Sequence, residues 1–484
     1  MSDRLQPVSH SISKPKALLW AAIAAYAAGF GSLSILRHRA YGTGRYDLGN
    51  MVQTVWNTAH GHVLQMTSGD GVQIDRLAAH FDPILAAFAP LWWIWPSPEM
   101  LLAVQAIAVA LGALPVYRLA RKHLGSDQAG LGFALVYLLY PATEWLTLNE
   151  FHPVALACPL LLFAFWYLDE GRLLPFAIFA ALSMTTKEEV GLVVAGMGVW
   201  YAIRRQRGAG AAIAGLGVLV SAIAIGVVVP HFNNGGDSTF YGRYDAVGGS
   251  AGGIAKTLFT HPWSLVRVAF ESRDIHYLLH LLLPLGLLFV AAPLALVAAV
   301  PELGLNQLSG TGTQASIHFH YTAAAIPPLV VASVFGAAAL ARRWPARTGA
   351  IVMAAVAVAV ASNWKLGAVP FWSAIPGGED FQAHDWQVTA HDHVADRAVA
   401  LIPSGSVVSA TNSLGAHLSA RRKVLSLPKL GDATWVAADE TRSSYADRVA
   451  PLPSAVDLVR LRKSPDWRLV FEEDGILVFH KRNA

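Results

Sequence analysis

The 484-residue chain is 54% hydrophobic and only 14% charged, with a net charge of +4 and a mean hydropathy of +0.43. A soluble domain carries roughly 25% charged residues, so an ordinary globule is excluded, and the basic residues sit at the ends of apolar runs, which argues for membrane orientation signals and against a nucleic-acid surface. The single cysteine, Cys158, excludes an internal disulfide framework and a multi-cysteine metal site.

Residues 1–16 are polar and basic, and residues 17–36 form an apolar run close to the ~20 residues that cross a bilayer as helix. No small-residue cleavage site followed by a soluble domain comes after it, so it reads as a retained first span, and Arg4, Lys14 and Lys16 place the N-terminus in the cytoplasm. Residues 41–83 are the first long polar excursion, expected outside, and hold Asp47, His60, His62, Asp70, Asp75, His80 and Asp82. Residues 84–95 are apolar but short and run into LWWIWPSP, as a juxtamembrane or re-entrant helix would. Further spans are expected at 99–117, 130–141, 154–168, 173–185, 190–203, 211–230, 277–290, 293–300, 321–340 and 348–361, giving about eleven. Pro284 and Pro293 make the pair 277–300 irregular. Lys or Arg mark the expected inner connections at 118–122, 172, 204–207 and 342–347, whereas the outer connections at 143–152 and 301–318 carry none.

The last stretch, 363–484, contains no spanning run. Alternating segments at 406–411, 422–428, 433–439, 467–471 and 475–481 read as short strands, with EEDG at 472–475 as a turn and helices at 413–420 and 453–463. The expected fold is therefore an α-helical polytopic membrane protein with a small α/β extracytoplasmic C-terminal domain. The expected division is a transmembrane domain, 1–362, with a long first external loop, 37–83, and a soluble domain, 363–484.

In this topology most of the unusual polar side chains fall on one face. Asp47, His60, His62, His80 and Asp82 come from the first loop, and Glu144, Asn149, Glu150 and His152 from 143–152. Lys187, Glu188 and Glu189 form the tip after the fifth span, and Glu302, Asn306, Gln307, His318, His320 and Tyr321 belong to the stretch near 301–321. Ionisable groups at membrane depth are costly and usually line a functional cavity, so the expectation is one external active site or ion site. Plainer roles stand beside this one. Asp47 and Asp82 each precede helix and suit a cap, Asp82 with Pro83 at the first helical position. His60, His62, Asp70 and Asp75 suit loop polarity, Lys187-Glu188-Glu189 a salt-bridged turn, and the HDH at 391–393 a solvated stretch. Glu150 and His152, two residues apart, suit a divalent metal, and in extended chain His318 and His320 point the same way. No G-x-x-x-x-G-K-[ST], G-x-S-x-G or H-E-x-x-H motif is present.

The stretches YDLGNMVQTVWNTAHGHVL, HFDPIL, VQAIAVALGALPVYRLARKHLG, NEFHPVALA, TTKEEVGL, HFHYTAAAIPPL and SLGAHLSARRKVLSLP, in this order, resemble the bacterial membrane-protein family catalogued as domain-of-unknown-function family 2079. More remotely, the architecture is similar to GT-C glycosyltransferases, polytopic enzymes with an acidic catalytic residue early in a long first external loop, which transfer sugars from polyprenyl-phosphate donors. That resemblance implies a GT-C-like membrane glycosyltransferase of the cell membrane with Asp47 as its catalytic acidic residue, acting as general base on an acceptor hydroxyl. Many such enzymes carry a paired acidic motif there, whereas Arg45 and Tyr46 precede Asp47 in this chain. The expected substrate-binding residues are His80, Lys187, His318, His320 and Tyr321; a divalent metal is expected at Glu150, His152 and Glu188. The expected partners are membrane lipid and a polyprenyl-phosphate-linked sugar, with no nucleic acid. The competing readings are a transporter or flippase, to which the proline-broken pair 277–300 is suited, and a non-catalytic assembly protein binding through its C-terminal domain.

Overall fold

A chain that spans lipid must satisfy its backbone polar groups internally, which makes helix the rule between its polar segments. The structure, a computed structural model, describes residues 13–236, 239–377, 386–448 and 454–482; Arg4, the first expected orientation signal, lies outside them. Among the described residues, five helices are long and apolar enough to cross a membrane: Lys14–Arg39, Pro98–Leu124, Arg207–Phe232, Ile326–Arg343 and Pro345–Leu366. A sixth span is available if Asp127–Leu138 and Pro141–Leu148, bent by 50°, are counted together. The bend falls at Tyr140-Pro141, where the proline removes a helix hydrogen bond. Part of the expected outer connection 143–152 is therefore helix.

Pro83–Ile94, Pro153–Asp169, Leu173–Met184 and Val190–Arg204 are shorter apolar helices. At 1.5 Å per residue, the 12-residue Leu173–Met184 is about 18 Å long, short of a ~30 Å hydrocarbon core. It belongs to a tight helical cluster with Val190–Arg204 and Arg207–Ile223. Small residues let backbones approach closely in such a cluster: a Cβ on Gly191 would stand 2.5 Å from the Gly217 carbonyl oxygen, and one on Gly198 2.7 Å from that of Gly210. The chain is thus a multi-pass membrane protein whose long helices among the described residues number five or six, with the other expected spans short or broken. The expected spans 277–290 and 293–300 are replaced by the helix Ser272–Leu282 and the 3-10 turns Leu283–Leu285, Leu288–Ala291 and Pro293–Ala298, since Pro284 and Pro293 cannot donate to a helical ladder.

Two sheets lie off the helices. In the first loop, β1 (Gln65–Thr67) pairs antiparallel with β2 (Gln73–Asp75). Near the C-terminus, β3 (Val408–Ala410), β4 (Val424–Ser426), β5 (Trp435–Asp439), β6 (Trp467–Glu473) and β7 (Ile476–Lys481) form one sheet in the order β4-β3-β5-β7-β6. β3 is parallel to β4 and β5, and β7 is antiparallel to β5 and β6, with Val436 opposite Phe479. Asp474 and Gly475, both at positive φ, make the two-residue turn from β6 to β7. Helices Ala390–Ala400, Asn412–His417 and Ser454–Lys463 accompany the sheet; residue 453 of the expected helix 453–463 lies outside the described residues.

Several polar residues expected to be solvated are engaged instead. Asp392 of the HDH stretch closes a capping box with Thr389, is buried, and pairs with Arg442 at 2.6 Å. His391 lies between Asp474, at 2.8 Å from its Nδ1, and Asp439, at 3.1 Å from its Nε2. Asp70 stays solvent-exposed as a loop residue while pairing with Lys429 at 2.7 Å, and Asp75 caps the turn Arg76–Ala78 by accepting from the Leu77 amide. His391 carries a pH prediction. Burial opposes its protonation, but the hydrogen bonds to Asp439 and Asp474 outweigh that, and its pKa is raised. A raised folded pKa means stabilisation fully present below the ordinary histidine value of ~6.5 and lost as pH rises through the folded value. His391→Gln is expected to be about 1 kcal/mol less stable than wild type at pH 6, with the gap in thermal melts closing by pH 9. A gap that widens with pH would contradict the assigned ion pairs.

The C-terminal sheet is anchored on the first loop. Arg45, fully buried, donates from Nη2 to the Thr67 carbonyl at 3.0 Å and to the Val424 carbonyl of β4 at 2.9 Å. Helix Asn412–His417 lies against the turn Arg45–Gly49 because glycines remove the side chains that would collide. A Cβ on Gly44 would stand 2.5 Å from the Asn412 side chain, one on Gly49 2.7 Å from Ser419 Oγ, and one on Gly415 3.0 Å from Arg45 Cβ.

Candidate functional site

Asp47 sits in a five-residue π-helical turn, Arg45–Gly49, which leads into helix Asn50–Ala59. Such turns project side chains out of α-helical register and recur at functional sites. Asp47 makes no cap hydrogen bond, so the cap role is not realised. The turn is held from behind by Glu150. Its carboxylate accepts from the Gly44 amide at 3.1 Å and the Leu48 amide at 2.8 Å. Glu150 itself is at φ 51°, a left-handed conformation that costs a non-glycine residue about 1 kcal/mol or more and persists only where the surroundings enforce it. Here the side-chain amide of Gln105 donates to the Glu150 carbonyl and its oxygen accepts from the His152 amide.

Asp47 opens onto a cavity of about 770 Å³. Although the turn is enclosed by protein, the carboxylate is 54% exposed because it faces this space. Burial pushes its pKa up, but the hydrogen bond and charge of His152, helped by Arg76 and Arg37, outweigh that and hold it below the usual carboxylate range. His152 Nε2 lies 3.4 Å from Asp47 Oδ1, and its Nδ1 donates to the Asn149 carbonyl at 2.8 Å. The His152 ring stacks on His320 at 3.7 Å between centroids. The Asn149 side-chain oxygen in turn accepts from the His320 amide and Nδ1, both at 3.0 Å. Asn149 thus orients both rings, through its backbone carbonyl and its side chain.

The opposite wall carries cations and their partners. Lys187 pairs with Glu189 at 2.5 Å, with its ammonium 5.4 Å from the Tyr321 ring centroid. Burial would lower the Lys187 pKa, but Glu189, Glu302 and Glu188 raise it, so the ammonium is retained. Glu188 accepts from His80 at 2.9 Å and from the Phe81 amide at 3.0 Å. Burial pushes it up, yet His80 and Lys187 bring it down to about 2. Arg76 is bound to Asp82 through three contacts of 2.7–3.1 Å, so Asp82 is an ion-pair partner and its expected side-chain cap is absent, although Pro83 does open the next turn. Arg243 donates to the Tyr321 hydroxyl at 3.1 Å and lies 4.7 Å from the Phe240 ring centroid. Among the described residues no carboxylate pairs with it, which leaves guanidinium donors for a ligand.

Asp47, His80, His152, Lys187, Glu188, His320 and Tyr321 all line this one cavity. Two expected site residues do not. Glu150 is behind the wall, committed to backbone amides. His318 packs against Trp145, 4.7 Å between centroids. His318 lies in a turn and His320 begins a 3-10 turn, so the expected extended run that would align the two histidines is absent. The expected metal donors Glu150, His152 and Glu188 do not fit a shared ion, because Glu150 accepts the Gly44 and Leu48 amides while Glu188 accepts from His80 and the Phe81 amide. Among the described residues no group of three or more His, Cys, Asp or Glu is placed to hold a metal. Sequence reasoning gave no site role to Arg76, Arg243 and Tyr244, which also line the cavity. The aromatic-flanked arginine in FYGRY was the available signal for Arg243.

A family model described as predicted membrane protein (DUF2079) matches residues 37–478. Among curated proteins none matches. Among solved structures, the chain is similar to the crystal structure of ArnT from Cupriavidus metallidurans bound to undecaprenyl phosphate. The identity is 13% and the TM-score 0.54, with 96% of this chain and 97% of that chain covered. At this identity the likeness is one of fold, and it agrees with the remote GT-C similarity.

Proposed function

The chain belongs to the DUF2079 family of predicted membrane proteins, and on that footing we propose that it is a membrane glycosyltransferase that takes a sugar from a polyprenyl-phosphate donor. The acceptor is extracytoplasmic, with the N-terminus in the cytoplasm and the cavity and C-terminal sheet on the outer side. The observation that carries this reading is an ionised, cavity-facing Asp47 in the same enclosure as Arg243 and Lys187. The fold shared with a protein crystallised with undecaprenyl phosphate supports it.

In this reading the acceptor hydroxyl oxygen attacks the anomeric carbon, and the bond from that carbon to the phosphate oxygen breaks with its electron pair leaving on phosphate. Asp47 takes the hydroxyl proton. Its Oδ1 is engaged by His152, so Oδ2 is the accepting oxygen. Arg243 offers planar paired donors to the departing phosphate, and the Lys187 ammonium adds positive charge. His80 holds Glu188 clear of the phosphate position.

Arg243→Met tests the phosphate role. Undecaprenyl phosphate binding to the purified protein in nanodiscs is expected to weaken about tenfold or more, since charge-assisted hydrogen bonds contribute roughly 1.5–3 kcal/mol each. Unchanged binding removes Arg243 from the phosphate site, and no binding to the wild type overturns the transferase reading.

A further inference from the structure

Three buried acceptor oxygens in the cavity wall lack donors. Glu302 Oε2, Asn306 Oδ1 and Gln314 Oε1 have no hydrogen-bond partner among the described residues, their residues are 2%, 1% and 5% exposed, and all three residues line the cavity. Buried acceptors are ordinarily satisfied, and an orphan costs about 1–3 kcal/mol. Three in one wall therefore need a common explanation.

The amide orientations are not arbitrary. Asn306 donates from Nδ2 to the Tyr277 hydroxyl at 2.9 Å and to the Tyr321 carbonyl at 2.7 Å. Gln314 donates from Nε2 to the Tyr244 hydroxyl at 2.8 Å. Each amide spends its N–H groups on fixed partners and is left with its oxygen unsatisfied. Glu302 and Asn306 are one helical turn apart on Val300–Leu308 and share a face. Of the nearby charges, Lys187 is paired with Glu189 and Glu188 accepts from His80, while Arg243 has no carboxylate partner among the described residues. Burial, then the charge of Glu189, pushes the Glu302 carboxyl up to about 8. The wall is rich in acceptors and has the Arg243 cation beside it, which suits hydroxyl donors better than a further cation.

We propose that Glu302, Asn306 and Gln314 form a saccharide subsite that receives the hydroxyl groups of a sugar ring. This rests on the transferase reading and deepens it by assigning the sugar-recognising wall to residues distinct from Asp47 and from the phosphate-facing Arg243. Specificity arises because a sugar lacking a matching hydroxyl leaves a buried acceptor unpaired, a larger penalty than a lost apolar contact.

The test uses the full-length protein in nanodiscs with two probes: undecaprenyl phosphate, which has no sugar, and a panel of methyl hexopyranosides and pentopyranosides followed by saturation-transfer NMR. Gln314→Met removes one orphan acceptor, and Glu302→Met, of similar length but without side-chain oxygens, removes another and is the second variant in case the first does not fold. The expected result is that wild type binds at least one glycoside, that either variant weakens it about tenfold, and that both variants bind undecaprenyl phosphate like wild type. Glycoside signals unchanged in the folded variants, or no signal from any glycoside with a wild type that binds undecaprenyl phosphate, overturns the subsite and leaves the transferase reading standing. Loss of undecaprenyl phosphate binding by wild type instead overturns the transferase reading on which the subsite rests.

Discussion

Asp47→Asn is expected to lower sugar transfer by about 10²–10⁴-fold, the usual contribution of a positioned general base, with the melting temperature unchanged. Asparagine fills the same space on the exposed, cavity-facing side of the turn but cannot take the acceptor proton. The pH profile gives an independent reading. His152, Arg76 and Arg37 together overcome the burial penalty and hold the Asp47 pKa below the ordinary carboxylate value. Its base form is therefore complete throughout the neutral range, and the acid limb of the rate profile is expected below the pH at which a free aspartate titrates. His152→Gln removes the largest stabilising contribution and is expected to move that limb upward. A folded Asp47→Asn protein with wild-type transfer rates would end the assignment.

Glu150→Ala is expected to be the more damaging to the fold, by about 3 kcal/mol. It leaves the Gly44 and Leu48 amides without an acceptor, at roughly 1–3 kcal/mol each. Activity should fall with stability, because the Asp47 turn loses its support. Glu150→Gln retains one acceptor oxygen and should recover part of both. Burial, then the charge of Asp47, pushes the Glu150 carboxyl up to about 8 against the two amide donors. Between the ordinary glutamate value of ~4.3 and that folded value, the native state binds more protons than the unfolded one, so the Glu150 contribution to stability falls as pH rises. Thermal melts of wild type and Glu150→Gln from pH 5 to 8 measure it, and a Glu150→Ala protein as stable as wild type would refute the brace.

How much of this was legible in the sequence varied with the kind of signal. Period-two alternation marks the C-terminal strands, and the Asp-Gly pair at 474–475 marks their hairpin, because both are local properties. The convergence of Asp47, His80, His152, Lys187 and His320 followed from counting sides of a membrane, without knowledge of packing. Roles within the cluster were not readable in this way. Glu150 and Asp47 look alike as exposed acids, and only tertiary contact shows that one is spent on amides while the other faces space. Asp82 carries the sequence signature of a cap, yet Arg76, six residues earlier, competes for it with a bidentate ion pair. His318 was misplaced because its period-two partnership with His320 fails where the 3-10 turn begins. The apolar segments 173–185 and 190–203 match helices Leu173–Met184 and Val190–Arg204 to within a residue, whereas 277–300 does not form its expected spans, because Pro284 and Pro293 break it into short turns.

The bond from Arg45 to Val424 joins positions 379 apart in the chain. A membrane protein is synthesised and inserted from its N-terminus, so the Asp47 turn emerges long before the strand whose Val424 carbonyl accepts from Arg45. Until then a guanidinium destined for complete burial must stay hydrated, and the turn around it cannot settle. The turn is therefore completed last, on arrival of the C-terminal strands, and a chain truncated before Val424 is expected to leave Arg45 without that acceptor.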